Sequence, residues 1–149
     1  VARNTDWGVL MLFGGGIALS NLLQSSGASE AIGQQLATTF VLAHPLVVIF
    51  AVATFIIFLT EVTSNTAAAA LLVPIFASVA TQMGLPKEVM VFVIGIGASC
   101  AFMLPVATPP NAIVFGTGLI QQKEMMRVGF LLNILCVVLV ALWAYALFV

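Results

Sequence analysis

Charged side chains are scarce in this sequence. Of its 149 residues, only four are Lys or Arg and five are Asp or Glu, 6% in all, whereas soluble domains carry about 25%. So few charges cannot cover a surface that faces water, and 62% of the residues are hydrophobic. We therefore predict an all-α membrane protein in contact with the lipid bilayer. The net charge of -1 also excludes the basic surface that a nucleic-acid partner requires.

Cysteine and histidine are equally rare, and this argues against a metal or catalytic centre. The two cysteines, Cys100 and Cys136, lie inside apolar runs without C-x-x-C spacing, so we expect small buried side chains. The single histidine, His44, precedes Pro45 and is predicted to mark a helix boundary. No acid pair, metal cluster or nucleophile–base set is visible, so the sequence does not predict an enzyme.

The apolar runs predict an order of helices along residues 1–149. A spanning helix is expected over 7–23, which would be about 25 Å long. Its glycines, Gly14 to Gly16, favour close helix packing, because no Lys-Ser/Thr pair follows to make a phosphate loop. An amphipathic interfacial helix over 31–43, with Ser29 as its N-cap, comes next. A spanning helix over 125–149 ends the chain.

Residues 45–83 are predicted to form a re-entrant hairpin. Its apolar arms, 45–59 and 67–80, would each be about 22 Å long, whereas a crossing helix needs about 20 residues. A polar cluster, Thr60-Glu61-Val62-Thr63-Ser64-Asn65-Thr66, separates the arms. Irregular backbone at membrane depth is tolerated where it is buried in protein or lines a cavity. Two ordinary crossings joined by a surface loop are the alternative.

Residues 88–120 are predicted to form a helix that is broken inside the membrane. As one helix they would exceed the bilayer thickness, and three prolines interrupt them: Pro105, Pro109 and Pro110. Proline has no N–H, so three carbonyls lose their helical partners, namely those of Ala101, Pro105 and Val106. The chain can restart with Thr108 as N-cap and Pro109 at the first helical position. Free carbonyls suit a sodium ion, and free N–H groups suit an anion.

The hairpin tip and the proline break are the two places where polar groups would lie at membrane depth. A helix cap or a proline kink would explain either one alone, but two in one small unit favour a binding site. Glu61 is the only acid near either motif; it could couple to protons, but a structural role is favoured. Neither motif contains Lys or Arg, so a bound dianion would need sodium to compensate its charge.

These motifs resemble a known family. Ser64-Asn65-Thr66 and Ala107-Thr108-Pro109-Pro110-Asn111, together with Asp6-Trp7-Gly8, Phe13-Gly14-Gly15-Gly16 and Met125-Met126-Arg127-Val128-Gly129, are similar to the divalent anion/sodium symporter family, and most of all to its INDY-type bacterial dicarboxylate transporters. The resemblance implies one of two inverted repeats, the C-terminal one, because only one Ser-Asn-Thr occurs here. We therefore expect a longer polypeptide, with the N-terminal repeat as a partner and a homodimer as its assembly.

The resemblance also implies a site. One sodium ion would be held by the Asn65 side chain and by three main-chain carbonyls, those of Thr60, Thr63 and Ala107. The substrate carboxylate would meet Ser64, Asn65 and Thr66, with Thr108 and Pro109 beside it.

The implied function is sodium-coupled secondary transport of di- and tricarboxylates such as succinate by a multi-pass protein of the inner membrane. Sulfate or other anion transport, exchange, a passive channel component and a fragment that serves only in assembly are the alternatives. Three basic residues, Arg3, Lys123 and Arg127, would share one side of the membrane, with Lys87 opposite. The positive-inside rule then puts that side in the cytoplasm.

Overall fold

The computed structural model describes residues 7–40 and 43–149, and all the regular secondary structure of these residues is α-helix. Seven helices follow one another in this part of the chain: α1 (Trp7–Ser25), α2 (Ala28–Phe40), α3 (Pro45–Leu59), α4 (Asn65–Gln82), α5 (Lys87–Gly97), α6 (Pro109–Gly116) and α7 (Gln122–Phe148). The all-α prediction is thus confirmed for the described part of the chain. Two of the helices, α4 and α7, are long and apolar enough to cross a membrane.

The core is built around α3, the most apolar helix. Its buried side chains repeat every three to four residues and face α5 and α7: Val48, Ile49, Val52, Ala53, Ile56 and Ile57. Close contact with α5 depends on Gly97, where a Cβ would lie 2.7 Å from Ile56 Cγ2. This glycine therefore lets the end of α5 approach α3 at the level where α3 itself ends.

Helices α3 and α7 run antiparallel, and two ring pairs fix their register. The His44 ring, at the start of α3, lies 5.9 Å from that of Tyr145, near the end of α7. At the other end of α3, the Phe58 and Phe130 rings also lie 5.9 Å apart. Since α7 has 27 residues, or about 40 Å, the whole of α3 lies alongside its C-terminal two thirds.

The predicted second arm, 67–80, is corrected: α4 is longer and is itself long and apolar enough to cross a membrane, so its length does not favour a re-entrant segment. It has 18 residues, so it is about 27 Å long, against about 22 Å for α3. It packs on α5 and on the α1–α2 pair. The contact with α2 is close, because a Cβ at Gly33 would lie 2.6 Å from Ser78 Oγ, and Gln82 Nε2 donates to the Glu30 carbonyl at 3.3 Å.

The predicted start of the interfacial helix is corrected. Helix α2 begins at Ala28, because Gly27 adopts φ 72° and its carbonyl accepts the Ala31 N–H at 3.0 Å. Only glycine takes up this left-handed backbone without strain. Ser29 is therefore inside the first turn rather than at the N-cap, and its hydroxyl is buried without a partner among the described residues. The predicted segment 31–43 also includes positions 41 and 42, which lie outside those residues.

Candidate functional site

The hairpin tip is the short non-helical link between α3 and α4, residues 60–64. Two threonine hydroxyls of the tip donate back to α3: Thr60 Oγ1 to the Ile56 and Ile57 carbonyls, both at 3.0 Å, and Thr63 Oγ1 to the Leu59 carbonyl at 2.9 Å. These bonds hold the tip to the end of α3 and leave the main-chain carbonyls of the two threonines for other partners.

Ser64 is the N-cap of α4. Its Oγ accepts the Ala67 N–H at 3.3 Å, and its carbonyl accepts the Ala68 N–H at 2.9 Å. The first two N–H groups of α4, those of Asn65 and Thr66, donate to no acceptor in the part of the chain that the structure describes. The start of α4 therefore has two main-chain donors available to an anion.

Four oxygens of the predicted sodium site lack hydrogen-bond partners. Asn65 Oδ1 is buried and accepts no hydrogen bond from a described residue. The same holds for the main-chain carbonyls of Thr60, Thr63 and Ala107, which receive no donor within residues 7–40 and 43–149. Amide and carbonyl oxygens are the ligands that hard cations prefer, so this donor set fits a sodium ion.

The proline break occupies residues 98–108, between α5 and α6. Thr108 has extended backbone (φ -144°, ψ 151°) and caps α6, with Pro109 at the first helical position as predicted. Its Oγ1 accepts the Asn111 N–H at 3.4 Å. Because Pro109 and Pro110 have no N–H and Asn111 is capped, the start of α6 has no free donor in its first three residues. The expectation that the break supplies free N–H groups to an anion is wrong at this helix.

The break also has an internal brace that the sequence prediction missed. Asn111 Nδ2 donates to two carbonyls of the break, those of Ala101 and Leu104, each at 3.0 Å. The prediction of a free Ala101 carbonyl is therefore wrong, because a side-chain amide replaces the main-chain N–H that proline removed. The same brace holds α6 close to the chain that leads into it.

Glu61 connects the tip to the break. Its side chain is only 4% exposed, and it accepts main-chain N–H groups from three consecutive residues. Phe102 and Met103 donate to Oε1 at 2.8 and 2.9 Å, and Leu104 donates to Oε2 at 3.0 Å. Asn133 Nδ2, on α7, donates to Oε1 at 2.6 Å. These contacts support the structural role that the sequence favoured for Glu61.

Two residues of α7 complete this arrangement: Asn133, which the sequence prediction did not identify, and Gly129, which it included only in a motif of the family resemblance. Asn133 is fully buried. Gly129 lies one turn earlier on the same face, where a Cβ would be 2.4 Å from the Phe102 carbonyl oxygen. The signal was a small residue and an amide spaced four apart in an otherwise apolar helix, which places both on one face.

The predicted substrate residues differ in their exposure. Ser64 and Pro109 are exposed, whereas Asn65, Thr66 and Thr108 are half-buried. Within the described chain, no hydrogen bond joins the Ser-Asn-Thr motif directly to the Ala-Thr-Pro-Pro-Asn motif, and the contact between tip and break is made by Glu61. A crevice of about 880 Å³ lies elsewhere, between α2, α4 and α5.

Comparison with known proteins identifies the family of this chain. All of residues 1–149 match the family described as the transmembrane region of sodium:sulfate symporters. The chain belongs to this family. Its membership confirms the resemblance to divalent anion/sodium symporters and makes the chain part of a family of membrane transporters.

Three relatives cover nearly all of this chain. An uncharacterised transporter of Haemophilus influenzae is 59% identical over 97% of it. A sodium-dependent dicarboxylate transporter, SdcS, of Staphylococcus saprophyticus is 44% identical over 99%, and an uncharacterised transporter of Methanocaldococcus jannaschii is 39% identical over 95%. The chain spans only 32%, 28% and 32% of the length of these three relatives.

Proposed function

We propose that this chain is the C-terminal repeat of a sodium-coupled secondary transporter for di- and tricarboxylates such as succinate. The observation that carries the proposal is the buried, unpaired Oδ1 of Asn65, together with the unpaired carbonyls of Thr60, Thr63 and Ala107. Relatives named as sodium-dependent dicarboxylate transporters support it.

The sodium ion has a physical reason to bind at the tip. Leaving a buried acceptor without a partner costs about 1–3 kcal/mol, and a cation on Asn65 Oδ1 would remove that cost. It would also compensate the charge of a nearby dianion, because helix termini supply only partial positive charge. Substrate affinity should therefore depend on sodium.

The substrate carboxylate is assigned to the start of α4. There the N–H groups of Asn65 and Thr66 are available, with the hydroxyls of Ser64 and Thr66 beside them. Helix α6 lacks such donors, so Thr108 and Pro109 would border the substrate rather than provide its main hydrogen bonds. The second carboxylate would meet the matching motif of the N-terminal repeat.

The register of α3 against α7 supports a re-entrant hairpin. Glu61, in the tip, bonds to Asn133, which is 11 residues after the start of α7 at Gln122, or about 16 Å along the helix axis. The tip thus ends alongside the interior of α7 instead of reaching its polar end. Two full crossings would instead bring the tip level with that end.

The rest of the arrangement follows as part of the same proposal. Lys123 and Arg127 would face the cytoplasm from an inner membrane, with Arg3, outside the described residues, on the same side. Large exposed apolar side chains cover much of α7 and would contact lipid or the N-terminal repeat: Phe130, Leu131, Leu132, Ile134, Leu135, Leu139, Leu142, Trp143 and Leu147. The full-length protein would assemble as a homodimer.

Uptake of labelled succinate by proteoliposomes containing the full-length protein tests the proposal. We expect saturable uptake under an inward sodium gradient and only background uptake when potassium replaces sodium. Equal uptake in both salts would refute sodium coupling, and uptake that never saturates would indicate a passive channel.

Sulfate transport is the second candidate, because the family description names it. Competition between the two anions separates the candidates: we expect excess unlabelled succinate, but not excess sulfate, to abolish the signal. Strong inhibition by sulfate, together with sodium-driven uptake of labelled sulfate, would reverse this assignment.

A further inference from the structure

We propose that Glu61 is a positioning residue that fixes the proline break relative to the hairpin tip. Asn133 and Gly129 extend these contacts to α7. Glu61, Asn133 and Gly129 are called the clamp from here on. The proposal rests on the proposed function only for its sodium readout, because the hydrogen bonds of the clamp can be measured without any ligand.

The clamp satisfies main-chain donors that the break would otherwise leave unpaired. After α5 ends at Gly97, the N–H groups of Phe102, Met103 and Leu104 no longer have helical acceptors, and all three point to the Glu61 carboxylate. Hydrogen bonds to a charged group are the stronger kind. In a membrane no water replaces a lost partner, so these bonds strongly favour one conformation of the break.

The position of Glu61 in the chain makes it suited to set the geometry of the sodium site. It directly follows Thr60 and precedes Thr63 by two residues, while Leu104, at the other end of its bonds, precedes Ala107 by three. The clamp thus joins the segment that contributes the tip's carbonyl ligands to the segment that contributes the carbonyl ligand of the break. Oε1 accepts three hydrogen bonds and Oε2 accepts one, so we assign Glu61 to positioning these carbonyls rather than to binding sodium itself.

Helix α7 contacts both Glu61 and the break. Asn133 donates to Glu61 at 2.6 Å, and one turn away the missing side chain of Gly129 lets the Phe102 carbonyl approach the helix. Both contacts involve the segment that Glu61 holds. Movement of α7 would therefore be transmitted to the tip and the break together.

Hydrogen–deuterium exchange of the full-length protein measures the clamp directly. In wild type we expect slow exchange in peptides covering 102–104. Glu61→Gln keeps the side-chain length but removes one acceptor, whereas Glu61→Asp keeps the charge but is about 1.5 Å shorter. Each should raise exchange in these peptides at least tenfold. Peptides from α3 and α5 should be unchanged. Glu88→Gln, at an exposed acid in the first turn of α5, is the control and should match wild type.

The sodium concentration that gives half-maximal thermal stabilisation separates positioning from a simple charge effect. If Glu61 acts by positioning, we expect both Glu61→Asp and Glu61→Gln to raise this sodium concentration at least tenfold. A wild-type value for Glu61→Asp would mean that charge alone matters and would overturn the proposal.

Faster exchange spread through α3 and α5 would also overturn it, because Glu61 would then serve only general stability. If the glutamate variants do not fold, Asn133→Ala, which keeps the three main-chain bonds, should give a smaller increase confined to 102–104. Unchanged exchange in Asn133→Ala would contradict the link to α7. Should wild type show no stabilisation by sodium, the proposed function fails, and exchange at 102–104 alone decides whether Glu61 holds the break.

Discussion

Gly129→Ala is the substitution with the sharpest consequence for the packing of α7 on the break. The added Cβ would lie 2.4 Å from the Phe102 carbonyl oxygen and 2.6 Å from Met103 Cα, whereas a carbon–oxygen contact needs about 3.3 Å. The break would have to retreat by about 1 Å, and both neighbours are main-chain atoms that cannot rotate away. We expect a loss of about 1–3 kcal/mol in stability and weaker sodium binding, because the Glu61 bonds would be stretched.

Gly95→Ala is the matched control for this prediction. Gly95 lies inside α5 with nothing within 4 Å of its added Cβ, and alanine is favoured over glycine in a helix by about 1 kcal/mol. Thermal unfolding of the purified full-length protein, with and without sodium, provides the comparison. We expect Gly95→Ala to be at least as stable as wild type and Gly129→Ala to be clearly less stable. Equal stability of the two variants would refute the close approach of α7 to the break.

Three further substitutions test other contacts. Asn111→Ala should cost about 1–3 kcal/mol, since it leaves the Ala101 carbonyl unpaired while the Leu104 carbonyl keeps the Ala107 N–H at 3.1 Å, and should raise hydrogen exchange around residue 104; unchanged exchange would contradict the brace. Ser64→Ala should cost about 1 kcal/mol in thermal unfolding through loss of the α4 cap and should raise the succinate KM; an unaltered KM would leave Ser64 only a cap. Gly33→Ala should cost about 1–3 kcal/mol by displacing Ser78, and a wild-type melting temperature would contradict the packing of α2 on α4.

The helices of this protein were largely predictable because local residues such as proline and capping side chains determine several of their boundaries. Pro45 and Leu59 bound α3, which has the limits of the predicted apolar run 45–59, and Thr108 with Pro109 starts α6 as predicted. Proline lacks an N–H whatever surrounds it, and threonine is a preferred N-cap residue. The start of α2 was missed because Gly27 can adopt positive φ, and whether a glycine does so depends on its neighbours.

The contacts that join the motifs could not be predicted from the sequence. The bond between Glu61 and Asn133 connects residues 72 positions apart, and the Asn111 brace depends on where the broken chain folds back. Such contacts are decided by tertiary packing, which no local pattern reports. The residues of the candidate sodium site were expected from the family resemblance, whereas their unpaired oxygens became visible only in the structure.

Sodium binding to the purified full-length protein, compared between wild type and Asn65→Ala without substrate, tests the central claim most directly. The account predicts saturable binding by wild type and the loss of one sodium ion per chain in Asn65→Ala, with Gly95→Ala retaining the wild-type number. The same number of sodium ions bound by Asn65→Ala and wild type would contradict it.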